Sequence, residues 1–190
     1  TIAVVGPTGV GKSTLVHLLL RLYPVPKGTI LVDGEDINDI PINRLRGNIA
    51  FVSQEVFLFS DRLSENILFG ERREDAEIKE RMREAARKAG LASDVEQFPS
   101  GYETLLGERG LTLSGGQRQR TGIARALVLD RPILILDDCL SSVDAETEEY
   151  ILRSVEEDVQ RRTTILISHR ISTVRNADHI RSEEHTSELQ

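Results

Sequence analysis

Gly6-Pro7-Thr8-Gly9-Val10-Gly11-Lys12-Ser13 is the stretch that decides the fold of this chain. It fits the phosphate-binding loop pattern, in which two glycines separated by four residues are followed by lysine and then serine or threonine. A short apolar, β-branched run precedes it and residues 12–22 read as a helix, so the loop joins a strand to a helix. The loop amides and the helix N-terminus can cradle phosphate oxygens, and the stretch therefore predicts nucleotide binding.

Two side chains give this loop its chemistry. Lys12 adds a positive charge to the cradle, and the Ser13 hydroxyl can ligate Mg²⁺. The predicted nucleotide-binding residues are Gly6, Pro7, Thr8, Gly9, Val10, Gly11, Lys12, Ser13 and Thr14.

Composition narrows the class of protein. The chain has 190 residues, which fits one domain or a core with a subdomain, and 39% of them are hydrophobic, enough for a buried core. Its net charge is −7 without a basic run, so no nucleic-acid partner is expected. Cys139 is the single cysteine, which excludes an internal disulfide and fits a reducing compartment. No apolar run approaches the ~20 residues of a membrane span, and no signal peptide is visible.

The order of the expected elements indicates an α/β fold. We expect helices at residues 12–22, 42–48, 74–89, 117–129, 144–160 and 171–176, and strands at 1–5, 27–32, 49–52, 133–136, 163–168 and from 178. Uninterrupted apolar strands are typical of a parallel sheet that is buried on both faces. The prediction is a phosphate-loop NTPase core with a mainly parallel sheet, a small antiparallel β piece near residues 28–37, and an inserted helical subdomain at about residues 69–113.

The two ends of the chain have features of their own. It opens on a strand without a methionine, which indicates a piece of a longer protein. Residues 181–190 are polar and unpatterned, and they are identical to the translation of a common short-read sequencing adapter. We interpret them as an assembly artefact that does not continue the strand from residue 178, leaving residues 1–180 as the native domain fragment. A genuine polar tail is the alternative.

Two further segments carry chemistry. Residues 133–136 form an apolar strand that ends in Asp137, whose carboxylate is expected to hold Mg²⁺ opposite Ser13. The stretch Leu113-Ser114-Gly115-Gly116-Gln117 precedes a helix for which Ser114 is a suitable N-cap. Its hydroxyl, glycine amides and helix N-terminus suit a γ-phosphate, as the first loop does.

These motifs together resemble the ATP-binding-cassette (ABC) ATPase domain. The phosphate loop, Gln54, the Ser114 segment, the strand ending in Asp137 and Asp138, Ser141-Ser142-Val143-Asp144 and His169 occur in that family's order and spacing. The resemblance covers residues 1–180. It implies an ATPase with ATP and Mg²⁺ as ligands, Mg²⁺ being held by Ser13, Gln54 and Asp137, and with Asp138, His169 and Gln54 as catalytic residues.

The resemblance can be narrowed to the exporter branch of the family. Phe57-Leu58-Phe59-Ser60, Glu65-Asn66-Ile67 and Gly107-Glu108-Arg109-Gly110 look like exporter segments that touch coupling helices of a membrane domain. The implied partner is an exporter's transmembrane domain, fused upstream. The implied location is the cytoplasmic face of the membrane.

The family also implies a head-to-tail dimer of two ATPase domains. Each ATP would lie between the Lys12 loop of one domain and Ser114, Gly115, Gly116 and Gln117 of the other, with Ser141 and Asp144 at the dimer seam. Closing a second loop over the phosphates would exclude water and pre-organise the donors.

Asp138 departs from the family pattern, which has glutamate at this position to polarise the attacking water. Asp is one methylene shorter, so its carboxylate would sit roughly 1.5 Å further back, and displacements of about that size can cost ~100-fold in rate. Aspartate here resembles one half of heterodimeric exporters, so a weak site is expected on this subunit and a stronger one on a different subunit. The alternatives are that Asp138 works through a reoriented water, that this half regulates its partner with little turnover, or that the chain is a soluble non-transport ABC ATPase.

Overall fold

The main sheet contains five parallel strands. The computed structural model describes residues 1–7, 9–71, 77–107, 112–156, 162–170 and 177–182. The strands are β1 (Ile2–Val5), β4 (Ile49–Val52), β5 (Ile133–Asp137), β6 (Thr163–Ser168) and β7 (His179–Ser182), in the spatial order β4-β5-β6-β1-β7. A separate antiparallel pair joins β2 (Leu31–Val32) to β3 (Glu35–Asp36). The predicted α/β class, with a parallel sheet and a small antiparallel piece, is confirmed.

Seven α-helices occur in the described part of the chain. They are α1 (Lys12–Leu19), α2 (Ile42–Gly47), α3 (Leu63–Leu68), α4 (Ile78–Lys88), α5 (Ala92–Gln97), α6 (Gly115–Val128) and α7 (Ala145–Glu156), with a 3₁₀ turn at Gly101–Glu103. Helices α4 and α5 and the 3₁₀ turn lie in the segment where the sequence predicts an inserted helical subdomain.

The two faces of β5 explain why its sequence is apolar throughout. Leu134 and Leu136 belong to one buried cluster, which includes Ile123 of α6. Ile135 belongs to another cluster on the opposite face, which includes Val16 of α1. Both faces of the sheet are therefore covered, as a parallel sheet requires.

The antiparallel pair closes through a two-residue turn. Asp33 and Gly34 both have positive φ, 50° and 83°, and they connect Val32 directly to its partner Glu35. This is the backbone of a type I′ hairpin, which Asp-Gly favours. The predicted Asp-Gly turn is confirmed, although the first strand is only two residues long.

Helix α1 ends earlier than predicted. The expected helix ran to Leu22, but Arg21 adopts a left-handed conformation at φ 48°, and the amides of Arg21 and Leu22 donate to the carbonyls of Leu18 and His17. This bonding pattern is a Schellman motif. The sequence gives no signal for it, because arginine occupies the position that glycine usually takes.

Strand β7 is longer than predicted. Arg181 and Ser182 continue the parallel pairing with Val4 and Val5, so the prediction that the strand stops before Arg181 is wrong for these two residues. The pairing uses only backbone groups, and both side chains are exposed, so their polarity does not prevent it. Residues 183–190 and the expected helix at 171–176 lie outside the described residues, and the adapter origin of the tail stays a prediction.

Cys139 is a buried filler, as expected. It is 1% exposed within the main core cluster. Burial raises the pKa of its thiol above the usual range, which makes the thiolate scarce and the residue chemically inert.

Candidate nucleotide-binding site

Four neighbouring strands deliver the candidate residues to one edge of the sheet. Strand β1 leads into the phosphate loop, β4 ends just before Gln54, β5 ends at Asp137, and β6 ends just before His169. These strands are adjacent in the order β4-β5-β6-β1, and they run parallel. Their carboxyl ends therefore meet at one edge, which is where ligands of open α/β sheets bind.

The phosphate loop has the backbone that its glycines allow. Gly9 and Gly11 have φ values of 92° and 101°, in a region of backbone conformation that residues with a side chain rarely adopt. Gly11 is the N-cap of α1, so the helix begins at Lys12. The Nζ atom of Lys12 donates to the carbonyl oxygens of Gly6 and Pro7 at 2.8 Å each. Thr8 lies outside the described residues.

Ser13 and Asp137 meet across the strand ends. The Ser13 hydroxyl donates to the Asp137 carboxylate at 3.2 Å, and Asp137 is 4% exposed. Burial raises the pKa of the Asp137 carboxyl above its usual range, and the hydrogen bond from Ser13 opposes that rise. A hydroxyl and a carboxylate at this separation are the oxygen ligands that Mg²⁺ takes beside a bound phosphate.

Asp138 lies between two side chains from other strand ends. One of its carboxylate oxygens contacts Nδ1 of His169 at 2.8 Å, and the other accepts from Nε2 of Gln54 at 3.2 Å. An ionised carboxylate only accepts, so an ionised Asp138 requires the proton of this pair on Nδ1 of His169. Asp138 also has a φ of 47°, a left-handed conformation that aspartate tolerates better than most residues.

These groups line one open cleft. The lining residues are Gly9, Gly11, Lys12, Ser13, Thr14, Gln54, Asp137, Asp138, Ile167 and His169. The structure thus brings together most of the residues predicted for the nucleotide site.

The Ser114 segment does not line this cleft. Ser114 caps α6, where its hydroxyl accepts from the Gln117 amide at 3.2 Å and its own amide donates to the Gln117 side chain at 2.9 Å. The other end of that side chain donates to Asp94 of α5 at 2.9 Å. Both ends of the Gln117 side chain are therefore engaged within the chain, whereas the amides of Gly115 and Gly116 belong to the unbonded first turn of α6.

The turn that contains the predicted seam residue Ser141 packs against that segment through Ser142. Gly116 packs so closely on the turn after β5 that a Cβ atom added to it would lie 2.9 Å from the Ser142 carbonyl oxygen. The Ser141 hydroxyl accepts from Gln119 of α6 at 3.1 Å. Asp144 accepts from the Thr147 amide at 3.0 Å, which caps the start of α7.

Four polar residues of this region were not found from the sequence. They are Asp94, Gln119, Glu148 and Arg170. Gln119 stands four residues before the fully buried Ile123, so a polar side chain on the apolar face of a helix was an available signal. The other three are charged residues, a type that is usually exposed, and only their tertiary contacts distinguish them.

Fold and cleft together define a phosphate-loop nucleotide-binding domain. The ABC transporter family model matches residues 1–141, and the chain belongs to this family. Across the described residues, no helix has the length and apolar character needed to cross a membrane.

Relatives with longer chains share this domain. The chain is 49% identical over 180 residues to an ATP-dependent lipid A-core flippase of Methylococcus capsulatus, a match that covers 95% of this chain and 30% of the relative. It is 47% identical over 178 residues to multidrug resistance protein pgp-1 of Caenorhabditis elegans, covering 94% of this chain and 13% of that protein.

A solved structure has the same fold. It is a bacterial Atm1-family ABC exporter with ATP bound, matched with a TM-score of 0.90 and 41% sequence identity. The match covers 96% of this chain and 32% of the exporter chain. The chain therefore spans about a third of the length of the flippase and of the exporter chain, and a smaller share of pgp-1.

Proposed function

We propose that the chain is the ATP-binding and ATP-hydrolysing domain of an exporter, at the cytoplasmic face of a membrane. The observation that carries the proposal is the convergence of Lys12, Ser13, Gln54, Asp137, Asp138 and His169 on one cleft. The relatives are by name a lipid A-core flippase and a multidrug resistance protein, and the solved structure is an ABC exporter, which supports export over a soluble ATPase. The lengths of these relatives support a transmembrane domain in the same polypeptide.

The residues of the cleft suit ATP with Mg²⁺. Loop amides at the start of α1 and the Lys12 ammonium would bind the β- and γ-phosphates. Positions where Cβ atoms of Gly9 and Gly11 would project are open space, so phosphates can approach the backbone closely. Ser13, Asp137 and Gln54 would hold Mg²⁺, which supplies charge neutralisation at the phosphates.

The Asp138–His169 pair would handle the attacking water and the γ-phosphate. Nδ1 of His169 faces Asp138, so the opposite nitrogen, Nε2, points away from Asp138, and when it carries a proton it can donate to the γ-phosphate. The Asp138 carboxylate would orient the imidazole and accept a proton from water in turn. Gln54 contacts the same carboxylate, so it would sense occupancy of the cleft.

The test is ATP turnover by the complete transporter that contains this chain. Lys12→Met should reduce turnover by at least roughly 100-fold, since the lysine stabilises charge on the transferred phosphoryl group. Lys27→Met is the matched control, because Lys27 is an exposed lysine whose ion pair with Asp39 lies on the surface. Chelation of Mg²⁺ should abolish turnover as well. Equal turnover of wild type and Lys12→Met would contradict the proposal.

Head-to-tail dimerisation is part of the same proposal. In a single chain the Ser114 segment does not line the Lys12 cleft, which supports a role in which it contacts the ATP bound to a second ATPase domain. Ser142, next to the predicted seam residue Ser141, packs against Gly115 and Gly116 of that segment, which supports a place for Ser141 and Asp144 at the seam. In a hydrolysis-deficient background, a Ser114→Glu variant should then prevent ATP-dependent association of the two domains, measured by cross-linking, while ATP binding at the Lys12 cleft of the same chain is kept.

A second candidate function is favoured by Asp138. As aspartate instead of glutamate, and already bonded to Gln54 and His169, it is expected to hydrolyse ATP slowly. The chain would then be the regulatory half of a heterodimer whose other subunit carries the stronger site. In the reconstituted pair, Asp138→Glu should raise turnover at this site by roughly 10- to 100-fold. No rise would favour hydrolysis by Asp138 itself through a reoriented water, which Asp138→Asn should then abolish.

A further inference from the structure

A buried glutamine and a partly exposed arginine connect the two functional ends of this domain through one short turn. The turn consists of Ser141 and Ser142 and is called here the 141–142 turn. We propose that Gln119 and Arg170 are positioning residues that hold the 141–142 turn between α6 and His169. They would thereby fix the position of the Ser114 segment, which serves the second ATP site, relative to His169 in the ATP site of this chain. This inference rests on the proposed function.

Gln119 fixes the turn to α6. It is 6% exposed, and its amide uses both ends: Nε2 donates to the Ser141 hydroxyl at 3.1 Å, and Oε1 accepts from the Ser142 amide at 2.8 Å. An amide buried in this way costs free energy unless both ends are bonded. Its position two residues after Gln117 places this contact in the first turns of the helix that Ser114 caps.

Arg170 fixes the same turn from the opposite side. Its guanidinium donates to the Ser141 carbonyl oxygen at 2.9 Å and to the Glu148 carboxylate of α7 at 2.8 Å. Glu148 is 5% exposed, so this ion pair is shielded from solvent on the carboxylate side. The planar fork of arginine can hold a carbonyl and a carboxylate at once, which a lysine ammonium does less well.

The turn therefore has contacts with both functional ends. On one side, the close approach of Gly116 to the Ser142 carbonyl leaves no room for α6 to shift toward the turn. On the other side, Arg170 follows His169 directly, and His169 contacts Asp138 at 2.8 Å. A displacement of the Ser114 segment would thus move the turn, and through Arg170 it would move His169.

None of these groups needs to touch ATP to affect its hydrolysis. Neither Gln119 nor Arg170 lines the cleft. Loss of either contact should leave the phosphate loop intact and misplace His169, so turnover should fall while ATP affinity stays. A purely structural role would instead lower stability and leave the turnover of the folded fraction unchanged.

The experiment compares variants of the complete transporter. Gln119→Met keeps the size of the side chain and removes both hydrogen bonds, and Arg170→Lys keeps the charge and removes the fork. The matched controls are Gln97→Met, where the amide donates only to Ser93 of its own helix, and Arg153→Lys, where the exposed ion pair lies within α7. The measurements are kcat and KM for ATP, nucleotide affinity with trinitrophenyl-ATP, and the thermal midpoint.

The expected result is a fall of kcat by roughly 10- to 100-fold in both variants, with KM and nucleotide affinity within about 3-fold of wild type. The kcat of the double variant should be about equal to that of the slower single variant, because both changes release the same turn. Both controls should match wild type. If Gln119→Met does not fold, Arg170→Lys decides alone, since it retains the charge beside Glu148.

Two outcomes separate this inference from the proposed function. If the wild-type transporter shows no ATP turnover that Lys12→Met reduces, the proposed function and the positioning inference are both contradicted. An active wild type, with both variants folded and kcat unchanged within about 2-fold, would overturn the positioning role alone. Effects of the two variants that multiply in the double variant would also overturn it, because they would show that the residues act independently.

Discussion

At the scale of single residues, three residues of the candidate site have backbone conformations that most residues avoid. Gly9, Gly11 and Asp138 all have positive φ, and all three line the cleft. For the two glycines this conformation carries little cost, whereas for Asp138 it is strained, and such strain persists where the surrounding structure fixes it. Gly116 is a different case, because it is required by contact and not by conformation: its neighbour is a backbone carbonyl that cannot rotate away.

Gly116→Ala should therefore separate α6 from the 141–142 turn. The added methyl would lie 2.9 Å from the Ser142 carbonyl oxygen, and overpacking of this kind lowers the free energy of unfolding by about 1–3 kcal/mol. Gly47→Ala is the control, since a Cβ atom there meets nothing within 4 Å. Urea denaturation of the full chain measures both, and equal midpoints for the two variants would show that the contact is not tight.

At the scale of elements, α6 is the part of the fold with the most functional contacts. Its cap presents the Ser114 segment, Gln119 binds the 141–142 turn, and Ile123 packs in the main core. Helix α5 fixes its first turns through Asp94, which accepts from Gln117 at 2.9 Å and from Arg120 at 2.7 Å. The short helix α5 thus positions the start of α6 without lining the cleft.

Asp94→Ala should loosen the first turns of α6. Asp94 and Arg120 are largely buried, with 17% and 13% of their side chains exposed, and hydrogen bonds to charged groups contribute about 1.5–3 kcal/mol. We expect a loss of that size in the free energy of unfolding. The matched control is Glu149→Ala, because its ion pair with Arg153 is exposed and worth about 0.3–0.5 kcal/mol. A loss at Asp94 no greater than that at Glu149 would contradict the positioning role of α5.

Asp144, which caps α7, should make the stability of the fold depend on pH. The hydrogen bond from the Thr147 amide lowers the pKa of the Asp144 carboxyl below its usual value, which in the unfolded chain is about 3.9. A lowered pKa in the folded state adds stability that is present above the unfolded pKa and lost as pH falls through the folded pKa. Asn caps helices as well but does not titrate, so wild type should be more stable than Asp144→Asn at neutral pH.

That difference should shrink as the pH falls below about 4, because the wild-type carboxyl is then protonated. Urea midpoints of the full chain from neutral to acidic pH measure it. A difference between wild type and Asp144→Asn that stays constant with pH would show that the cap is not electrostatic.

At the scale of the whole molecule, the sheet and the helical segment share one continuous core. The main cluster contains Ala3 and Leu134 of the sheet, Ile123 of α6, and Met82 and Leu91 from the segment predicted as a helical subdomain. Helix α6 lies between the two parts and contributes to both. The shared contacts support a single cooperative unit.

Ile123→Ala tests that shared core. Ile123 is fully buried, and truncation of such a side chain lowers the free energy of unfolding by about 2–5 kcal/mol. The loss should shift the whole unfolding transition, with far-ultraviolet circular dichroism and hydrogen exchange of α4 and β5 amides reporting one midpoint. Leu105→Ala is the control, since Leu105 is 70% exposed. Separate midpoints for α4 and β5 would indicate two independent units.

The sequence by itself determined the features that depend on neighbouring residues. The phosphate loop, the Asp33-Gly34 turn, the Ser114 cap and the buried strands were all predictable, because each needs only a contiguous pattern and local backbone geometry. The resemblance of these motifs to ABC ATPases predicted which distant residues belong to one site.

Only the tertiary structure decided how those residues meet. Ser13 and Asp137 are 124 positions apart, Gln54 and Asp138 are 84 apart, and their contacts exist because β4, β5, β6 and β1 lie side by side. The roles of Gln119 and Arg170 follow from hydrogen bonds to a turn that is remote in sequence, and the end of α1 follows from a left-handed arginine. Strand order and side-chain pairing are properties of the packed chain, so local patterns do not encode them.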